Sequence, residues 1–237
     1  TRALILAATE EGIKRIVYTS SVATLGLKQD GTPANEDTPS NFSAITGYYK
    51  RSKYLAEQMV KQLTDEHQLP LIIVNPSTPI GPGDIRPTPT GRIVLDTLMG
   101  RMPAYVNTGL NIAHVDDIAY GHLLAYQHGK PGERYILGGD NMTLLQILQT
   151  IDEINGTQKN RINIPIGLML PMAWLMEKIA SFTHTEPRAT LDSIHMAKKL
   201  MFFSSDKAHR ELGYQYRPSI EALKDAVKWF KENDYCN

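Results

Sequence analysis

A tyrosine and a lysine four positions apart form the most informative pair of residues in this chain. Tyr49 and Lys53 lie in a segment whose apolar residues recur every three to four positions, which predicts a helix over residues 45–66. Side chains at positions i and i+4 share one face of a helix, so we expect the phenol and the ammonium to be neighbours. A nearby ammonium stabilises a phenolate, and a tyrosine in that setting can exchange a proton with a hydroxyl or carbonyl group.

The same spacing also occurs on ordinary solvated helix faces, so its surroundings decide what it means. A β-branched run at 15–19 ends in the hydroxyl residues 19–21, and an apolar run at 70–74 leads into the Asn-Pro-Ser segment 75–77. Ligands bind at the carboxyl ends of parallel strands, where both polar segments are expected to lie. A turn that bonds its own backbone is the alternative explanation for the hydroxyls at 19–21. The order of strand, helix and strand is that of a βαβ unit, which favours a catalytic role for the pair.

The elements around the pair predict an α/β fold. An opening helix ends near Gly12, a residue that suits this position because glycine accepts a positive φ. The two strands that flank the tyrosine helix are apolar on both faces, which is typical of parallel strands covered by helices on both sides. We therefore expect a doubly wound parallel sheet of Rossmann type, followed by a smaller and mostly helical C-terminal region.

Turn-forming residues and helix caps divide the remainder of the chain. Five prolines and glycines at 75–83 predict an irregular loop, and Asp116 is expected to cap a helix. The other predicted elements are strands at 134–137 and 161–164, a helix capped by Ser205, and helices at about 92–100, 116–127, 143–154, 167–182, 188–199 and 220–232.

Composition and charge exclude several classes of protein. The chain has 237 residues, of which 42% are hydrophobic, and its 25 basic and 25 acidic residues balance, so no overall field would attract nucleic acid. The single cysteine, Cys236, allows no intrachain disulfide, which suits a reducing compartment and predicts a cytoplasmic protein. No spacing of His, Cys, Asp and Glu predicts a metal site.

The most apolar window of the chain is too short to span a membrane. It covers residues 164–176, whereas a membrane-spanning helix needs about 20 apolar residues. We expect a buried helix here, with contact to a membrane interface as the alternative, and we expect no stable membrane insertion.

Four motifs together resemble the extended short-chain dehydrogenase/reductase family, and the likeness covers nearly the whole chain. They are Val17-Tyr18-Thr19-Ser20-Ser21, Tyr49-x-x-x-Lys53, Asn75-Pro76-Ser77-Thr78 and His114-Val115-Asp116-Asp117-Ile118-Ala119. That family includes NAD-dependent sugar epimerases and dehydratases, and the dihydroflavonol 4-reductase-like enzymes. At a finer level, the segments 76–84 and 201–203 resemble the subgroup of hopanoid-associated sugar epimerases.

The resemblance implies a role for each of these residues. Tyr49 would be the catalytic acid/base, Lys53 would bind the nicotinamide ribose and stabilise the phenolate, and Ser21 would orient the substrate oxygen. The cofactor is expected to be NAD or NADP. Its contacts are expected to be Thr19, Ser20, Tyr49, Lys53, Pro76, Ser77 and Thr78.

The segment 114–117 contains a histidine and paired carboxylates that look like acid/base residues. In the family, however, the His-Val-Asp-Asp segment leads into a helix. We therefore expect His114 to have a structural role, and Asp116 and Asp117 to act as a helix cap and a partner of the helix dipole.

A glycine-rich phosphate-binding loop is absent from the chain. The family carries that loop at its N-terminus, so the opening helix is expected to be internal to a longer protein, with the residues that distinguish NAD from NADP preceding it. Residues 1–78 would then be the C-terminal part of a dinucleotide-binding domain. Residues 79–237 would be the substrate-binding region, with residues 111–139 packing back onto the first domain.

Several functions are compatible with this resemblance. The first expectation is an NAD(P)-dependent epimerase that acts on a sugar or nucleotide-sugar through a keto intermediate. The alternatives are an NADPH-dependent ketone reductase of the dihydroflavonol 4-reductase type, and a non-catalytic binding protein on the same fold. A dehydratase is disfavoured because Ser21 is followed by Val-Ala-Thr at 22–24, where the dehydratases carry an Asp-Glu pair.

The position four residues before His114 bears on the substrate. Many nucleotide-sugar epimerases carry an arginine there that binds the diphosphate, whereas this chain has Leu110. A leucine offers a phosphate neither charge nor hydrogen bonds. A sugar substrate would therefore need other basic residues, for which the candidates are Arg86, Arg92 and Arg188. In either case the expected partner is a small-molecule substrate, and a homodimer stays open as the assembly.

Overall fold

A computed structural model describes residues 1–42, 45, 47–165, 167 and 199–236. Its helices are α1 (Arg2–Glu10), α2 (Tyr48–His67), α3 (Pro89–Leu98), α4 (Val115–His128), α5 (Leu144–Ile154), α6 (Asp206–Leu212) and α7 (Ser219–Glu232), together with a 3-10 turn at Val22–Thr24. Its strands are β1 (Ile16–Thr19), β2 (Leu71–Pro76), β3 (Thr78–Ile80), β4 (Ala104–Tyr105), β5 (Gly109–His114), β6 (Arg134–Leu137), β7 (Asp140–Thr143), β8 (Ile162–Asn163) and β9 (Leu200–Met201).

The first sheet is parallel, with strand order β1-β2-β6 in the described part of the chain. Helices cover both of its faces, because Ile73 packs with residues of α1 and α2 while Ile72 packs with residues of α4 and α6. The central strand β2 is buried from Leu71 to Asn75, as its apolar run predicts. This doubly wound parallel arrangement confirms the predicted fold class.

The second sheet is mixed and belongs to the later part of the chain. Its strand β5 pairs in parallel with β3 and β9 and antiparallel with β7. Helices α3, α5 and α7 pack against it around Val94, Ile147 and Phe230. Since β2 ends at Pro76 in the first sheet and β3 begins at Thr78 in the second, we propose a boundary near residue 78.

Strand β3 lies within the segment that the sequence predicts as an irregular loop. Thr78–Ile80 pairs with the end of β5, so the prediction of a loop over 75–83 is wrong for these residues. Proline is tolerated in β3 because this strand lies at the edge of its sheet, where the missing N–H of Pro79 breaks no ladder bond.

Strands β5 and β7 were not expected, because asparagines interrupt their apolar patterns. The structure explains these asparagines by side-chain hydrogen bonds. Asn111 Nδ2 donates to Gly139 O at 2.7 Å and to Asn141 Oδ1 at 2.9 Å. These buried amides connect the two strands by hydrogen bonds. Because they are polar, they also interrupt the alternation of apolar and polar residues by which a strand is predicted.

Helix α4 begins after His114 rather than after Asp116. His114 Nδ1 accepts a hydrogen bond from the Asp116 N–H at 3.1 Å, and Nε2 lies 3.2 Å from Asp225 Oδ2. The predicted cap at Asp116 is wrong because the imidazole ring takes the place of the capping carboxylate. The ring is fully buried and links α4 to α7.

Two of the predicted helices, at 167–182 and 188–199, lie outside the described residues apart from positions 167 and 199. None of the helices that the structure describes combines the length and the apolar character that a membrane span requires.

The outer edge of the first sheet is covered by a buried carboxylate. Glu36 Oε1 accepts a hydrogen bond from the Ile136 N–H at 2.8 Å, and the Arg134 guanidinium bonds the backbone oxygen of Glu36. Burial raises the pKa of Glu36. An edge strand with free N–H groups would otherwise be open to pairing with another chain.

Removing this acceptor is expected to destabilise the fold. Glu36→Leu leaves the Ile136 N–H buried without a partner, which costs about 1–3 kcal/mol of unfolding free energy. Glu36→Gln keeps an acceptor oxygen and is expected to lose less than half of that. Urea unfolding at pH 7 measures both values, and equal losses in the two variants would contradict the role of the hydrogen bond.

Candidate active site

Helix α2 carries the predicted catalytic pair on its first two turns. It begins after Gly47, whose φ of +84° is a conformation that glycine adopts most easily. Tyr49 is 63% exposed, Lys53 is half-buried, and Glu57 is fully buried. The helix therefore passes from solvent into the core over two turns, and it leaves the phenol accessible to a ligand.

The hydroxyl residues at the carboxyl end of β1 point to different partners. Ser20 Oγ is buried and donates to Glu57 Oε2 at 2.5 Å, so this hydroxyl is not free to contact a ligand. Ser21 Oγ accepts from the Ala23 N–H at 3.1 Å and opens the 3-10 turn. That contact leaves the Ser21 hydroxyl hydrogen available for a substrate oxygen.

Thr19 lies at the exposed end of β1, beside helix α4. Its Oγ1 is 3.1 Å from His122 Nε2, and His122 Nδ1 is 2.8 Å from the Ile118 carbonyl oxygen. Because a carbonyl oxygen can only accept, Nδ1 carries the proton and, in the neutral ring, Nε2 accepts from Thr19. The Thr19 side chain is thus engaged, which leaves its backbone as the predicted cofactor contact.

The segment after β2 contains polar atoms that a cofactor would satisfy. Ser77 Oγ and Asn75 Oδ1 are buried and have no hydrogen-bond partner among the described residues. Ser77 also donates its N–H to Leu137 O at 3.0 Å, which holds this segment against β6. Unpaired buried polar atoms are rare, and a carboxamide such as that of nicotinamide has the donors to pair with them. Pro76 ends β2, and Thr78 is buried at the start of β3.

Glu57 is a central residue of the site that the sequence reasoning missed. Its carboxylate collects donors from four other parts of the fold. They are Ser20 Oγ at 2.5 Å, Thr24 Oγ1 at 2.7 Å, Asn75 Nδ2 at 2.8 Å and Arg134 Nη1 at 3.1 Å, with Lys61 Nζ at 3.7 Å on α2 itself. A signal was present, because Glu57 extends the spacing of four from Tyr49 and Lys53 and places a carboxylate on the buried face of α2.

A second lysine lies beside the catalytic pair. Lys50 Nζ is 3.8 Å from Met201 Sδ on β9. Burial, together with the charge of Lys199, lowers the pKa of Lys50. In the register of the second sheet, Met201 is the partner of Leu110, and Leu110 is also the partner of Met142. Met201 is therefore the neighbour of Leu110 that contacts the first turn of α2, while Leu110 and Met142 pack with the core formed by α3, α5 and α7.

The structure describes two of the three predicted substrate-binding arginines, with Arg86 just before helix α3 and Arg92 within it. Arg86 and Arg92 are exposed, and neither side chain forms a hydrogen bond or ion pair within the described residues. They flank a cavity of about 190 Å³ between β3, α3 and α7 without lining it. Arg188 lies outside the described residues.

Comparison with known proteins shows the family of this chain. The model of the NAD dependent epimerase/dehydratase family matches residues 1–138. The chain belongs to this family. The resemblance drawn from the four motifs is thereby confirmed at the level of the family, while the individual site residues stay predictions.

Relatives in this family carry several different names. A Synechocystis protein provisionally named dihydroflavonol 4-reductase is 45% identical over 99% of this chain and 69% of its own length. Sterol demethylase protein B of Methylococcus capsulatus is 35% identical over 98% of this chain and 71% of its own length.

Solved structures share the same fold. The crystal structure of the protein gox2253 has a TM-score of 0.88 and 51% identity, and the match covers all of this chain and 72% of that one. A nucleoside-diphosphate-sugar epimerase from Pseudomonas aeruginosa has a TM-score of 0.80 at 24% identity over 98% of this chain and 72% of its own. At that identity the likeness concerns the fold alone.

Proposed function

We propose that this protein catalyses NAD(P)-dependent hydride transfer at a carbonyl or alcohol carbon, with Tyr49 transferring the proton. The observation that supports this most directly is the accessible Tyr49, one helical turn before Lys53, on the helix whose Glu57 bonds Ser20 and Asn75 at the carboxyl ends of β1 and β2. The bound nicotinamide would supply or accept the hydride.

The residues of this chain would handle the oxygen and its proton. In reduction, the carbonyl oxygen accepts hydrogen bonds from the hydroxyls of Tyr49 and Ser21. As the hydride reaches the carbon, the Tyr49 proton passes to the oxygen and an alcohol forms. The phenolate that remains is stabilised by the ammonium of Lys53 until it is protonated again. Oxidation of an alcohol is the reverse of these steps.

Among the reactions of this family, we propose a single reduction or oxidation of an apolar ring ketone or alcohol. The supporting observation is Leu110, at the position where an arginine would be needed to bind a diphosphate, with the apolar Met142 and Met201 as its partners on the neighbouring strands. The names of the relatives point the same way, because they refer to a dihydroflavonol and to sterols. We therefore propose the reductase, an alternative at the level of sequence, ahead of the sugar epimerase.

A sugar epimerase is the second candidate. It is favoured by the family description and by the exposed side chains of Arg86 and Arg92, which have no partner among the described residues and could bind a phosphate. In that case the same hydride would return to the opposite face of a keto intermediate, and Tyr49 would act in both directions.

Calorimetric titration of the complete protein with UDP and with UDP-glucose, in the presence of NAD, separates the two candidates. For the reductase we expect no micromolar binding, together with oxidation of NADPH on addition of a dihydroflavonol. Micromolar binding of UDP that is lost in Arg92→Ala and kept in the control Arg210→Ala would instead establish the nucleotide-sugar reaction. Arg210 serves as the control because it is an exposed arginine on α6.

A further inference from the structure

The buried carboxylate of Glu57 lies one turn beyond Lys53 and holds together elements that are distant in sequence. Its Oε2 accepts from Ser20 at the end of β1, from Thr24 in the 3-10 turn, and from Asn75 in β2. Its Oε1 faces Arg134 in β6. Helix α2 is therefore connected to each strand of the first sheet through one side chain.

The electrostatic setting keeps this carboxylate charged. Burial alone would raise the pKa of Glu57, but hydrogen bonds from Ser20, Thr24 and Asn75 and the charge of Lys61 hold it below its ordinary value. A charged acceptor forms stronger hydrogen bonds than a neutral one. Because both carboxylate oxygens of Glu57 accept from fixed donors, these bonds set the orientation of the side chain as well as its distance from the donors.

The same donors also hold the backbone of Ser21. Asn75 Nδ2 donates to Ser21 O at 3.0 Å, and Thr24 Oγ1 lies 2.8 Å from the same oxygen. Both groups are within 2.8 Å of Glu57 Oε2. A short path of hydrogen bonds thus runs from α2, which carries Tyr49, to the residue predicted to orient the substrate oxygen.

We propose that Glu57 is a positioning residue that sets where Tyr49 lies relative to Ser21, so that both hydroxyls meet one substrate oxygen. This inference rests on the proposed hydride transfer. A purely stabilising role is the competing explanation, and it is the weaker one, because a buried ion pair is often no more stabilising than packed apolar residues. Apolar residues in the place of Glu57 could not form the directional hydrogen bonds to Asn75 and Thr24.

The isosteric variant Glu57→Gln removes this link with little change in volume. Its amide nitrogen would face donors of Asn75 or Arg134, and two donors cannot pair. Displacement of a catalytic group by about 1 Å can cost about 10²-fold in rate. We expect kcat to fall at least tenfold while the KM for substrate changes less than threefold. The matched control is Glu66→Gln, an exposed carboxylate on the same helix, for which no change is expected.

The deciding experiment is a double-mutant cycle on the complete protein with NADPH and a dihydroflavonol as probes. Glu57→Gln, Ser21→Ala, the double variant and Tyr49→Phe are compared by kcat. If Glu57 acts through the placement of Ser21, then Ser21→Ala costs at least tenfold less in the Glu57→Gln background than alone. If the two losses multiply, as they would for a stabilising role, the proposal is overturned.

The control variants separate this proposal from the proposed function. If Tyr49→Phe loses turnover but the kcat losses of Glu57→Gln and Ser21→Ala multiply, only the role of Glu57 is rejected. If Tyr49→Phe keeps full turnover, both the role of Glu57 and the proposed function are rejected. A measurement without substrate completes the test. Backbone amides of the turn Val22–Thr24 should exchange hydrogen at least tenfold faster in Glu57→Gln than in Glu66→Gln, and equal exchange in the two variants overturns the proposal.

Discussion

Replacing Tyr49 by phenylalanine is expected to lower kcat by a factor of about 10² to 10⁴, the usual contribution of a positioned acid or base. The change removes one oxygen atom from a side chain that is 63% exposed, so the unfolding free energy should stay within about 0.5 kcal/mol of the wild-type value. Binding of NADPH, followed by nicotinamide fluorescence, should change little because the ring and Lys53 remain in place.

The neighbouring tyrosine supplies a matched control for this variant. Tyr48 is 89% exposed and precedes the catalytic pair on the same turn of α2. Tyr48→Phe should keep the turnover of the wild type. Equal turnover of Tyr48→Phe and Tyr49→Phe would show that Tyr49 does not transfer the proton.

Breaking the buried ion pair between Arg161 and Asp152 is expected to cost about 3–5 kcal/mol of unfolding free energy. Both side chains are almost completely buried, and Arg161 also donates to Met102 O at 3.0 Å. Arg161→Met would leave the Asp152 carboxylate buried without its cation. It would also remove the hydrogen bond to Met102 O, which helps to hold β8 beside β4.

An exposed arginine provides the control for this stability measurement. Arg101 faces Asp96 at 3.9 Å near the surface, where an ion pair contributes at most about 1 kcal/mol. Urea unfolding of Arg161→Met and Arg101→Met should therefore differ by at least 2 kcal/mol in free energy. Equal losses of unfolding free energy in the two variants would show that the buried Arg161 pair stabilises the fold no more than the exposed Arg101 pair.

The sequence predicts those parts of the fold whose signal is local. Apolar runs mark β1, β2 and β6, and the capping box between Thr143 and Gln146 marks the start of α5. The pair Tyr49 and Lys53 is readable for the same reason, since i and i+4 share a helix face in any context.

Features that depend on contacts between distant segments were not readable. Glu57 meets Ser20, Asn75 and Arg134 only because the strands that carry them are neighbours in the sheet. Strand β3 contains a proline that is acceptable only at a sheet edge, a property of the topology rather than of the segment. The cap of α4 is a histidine ring whose orientation depends on Asp225, more than 100 residues further along the chain.

Transfer of deuterium from NADPH that carries deuterium at both hydrogens of nicotinamide C4 tests the central claim most directly. The complete protein is incubated with the labelled cofactor and a dihydroflavonol, and the product is examined by mass spectrometry. Hydride transfer with Tyr49 as the acid predicts one deuterium on the carbon that bears the new hydroxyl, formed at least 10²-fold more slowly by Tyr49→Phe. Product without deuterium, or labelled product formed equally fast by Tyr49→Phe, would contradict the account.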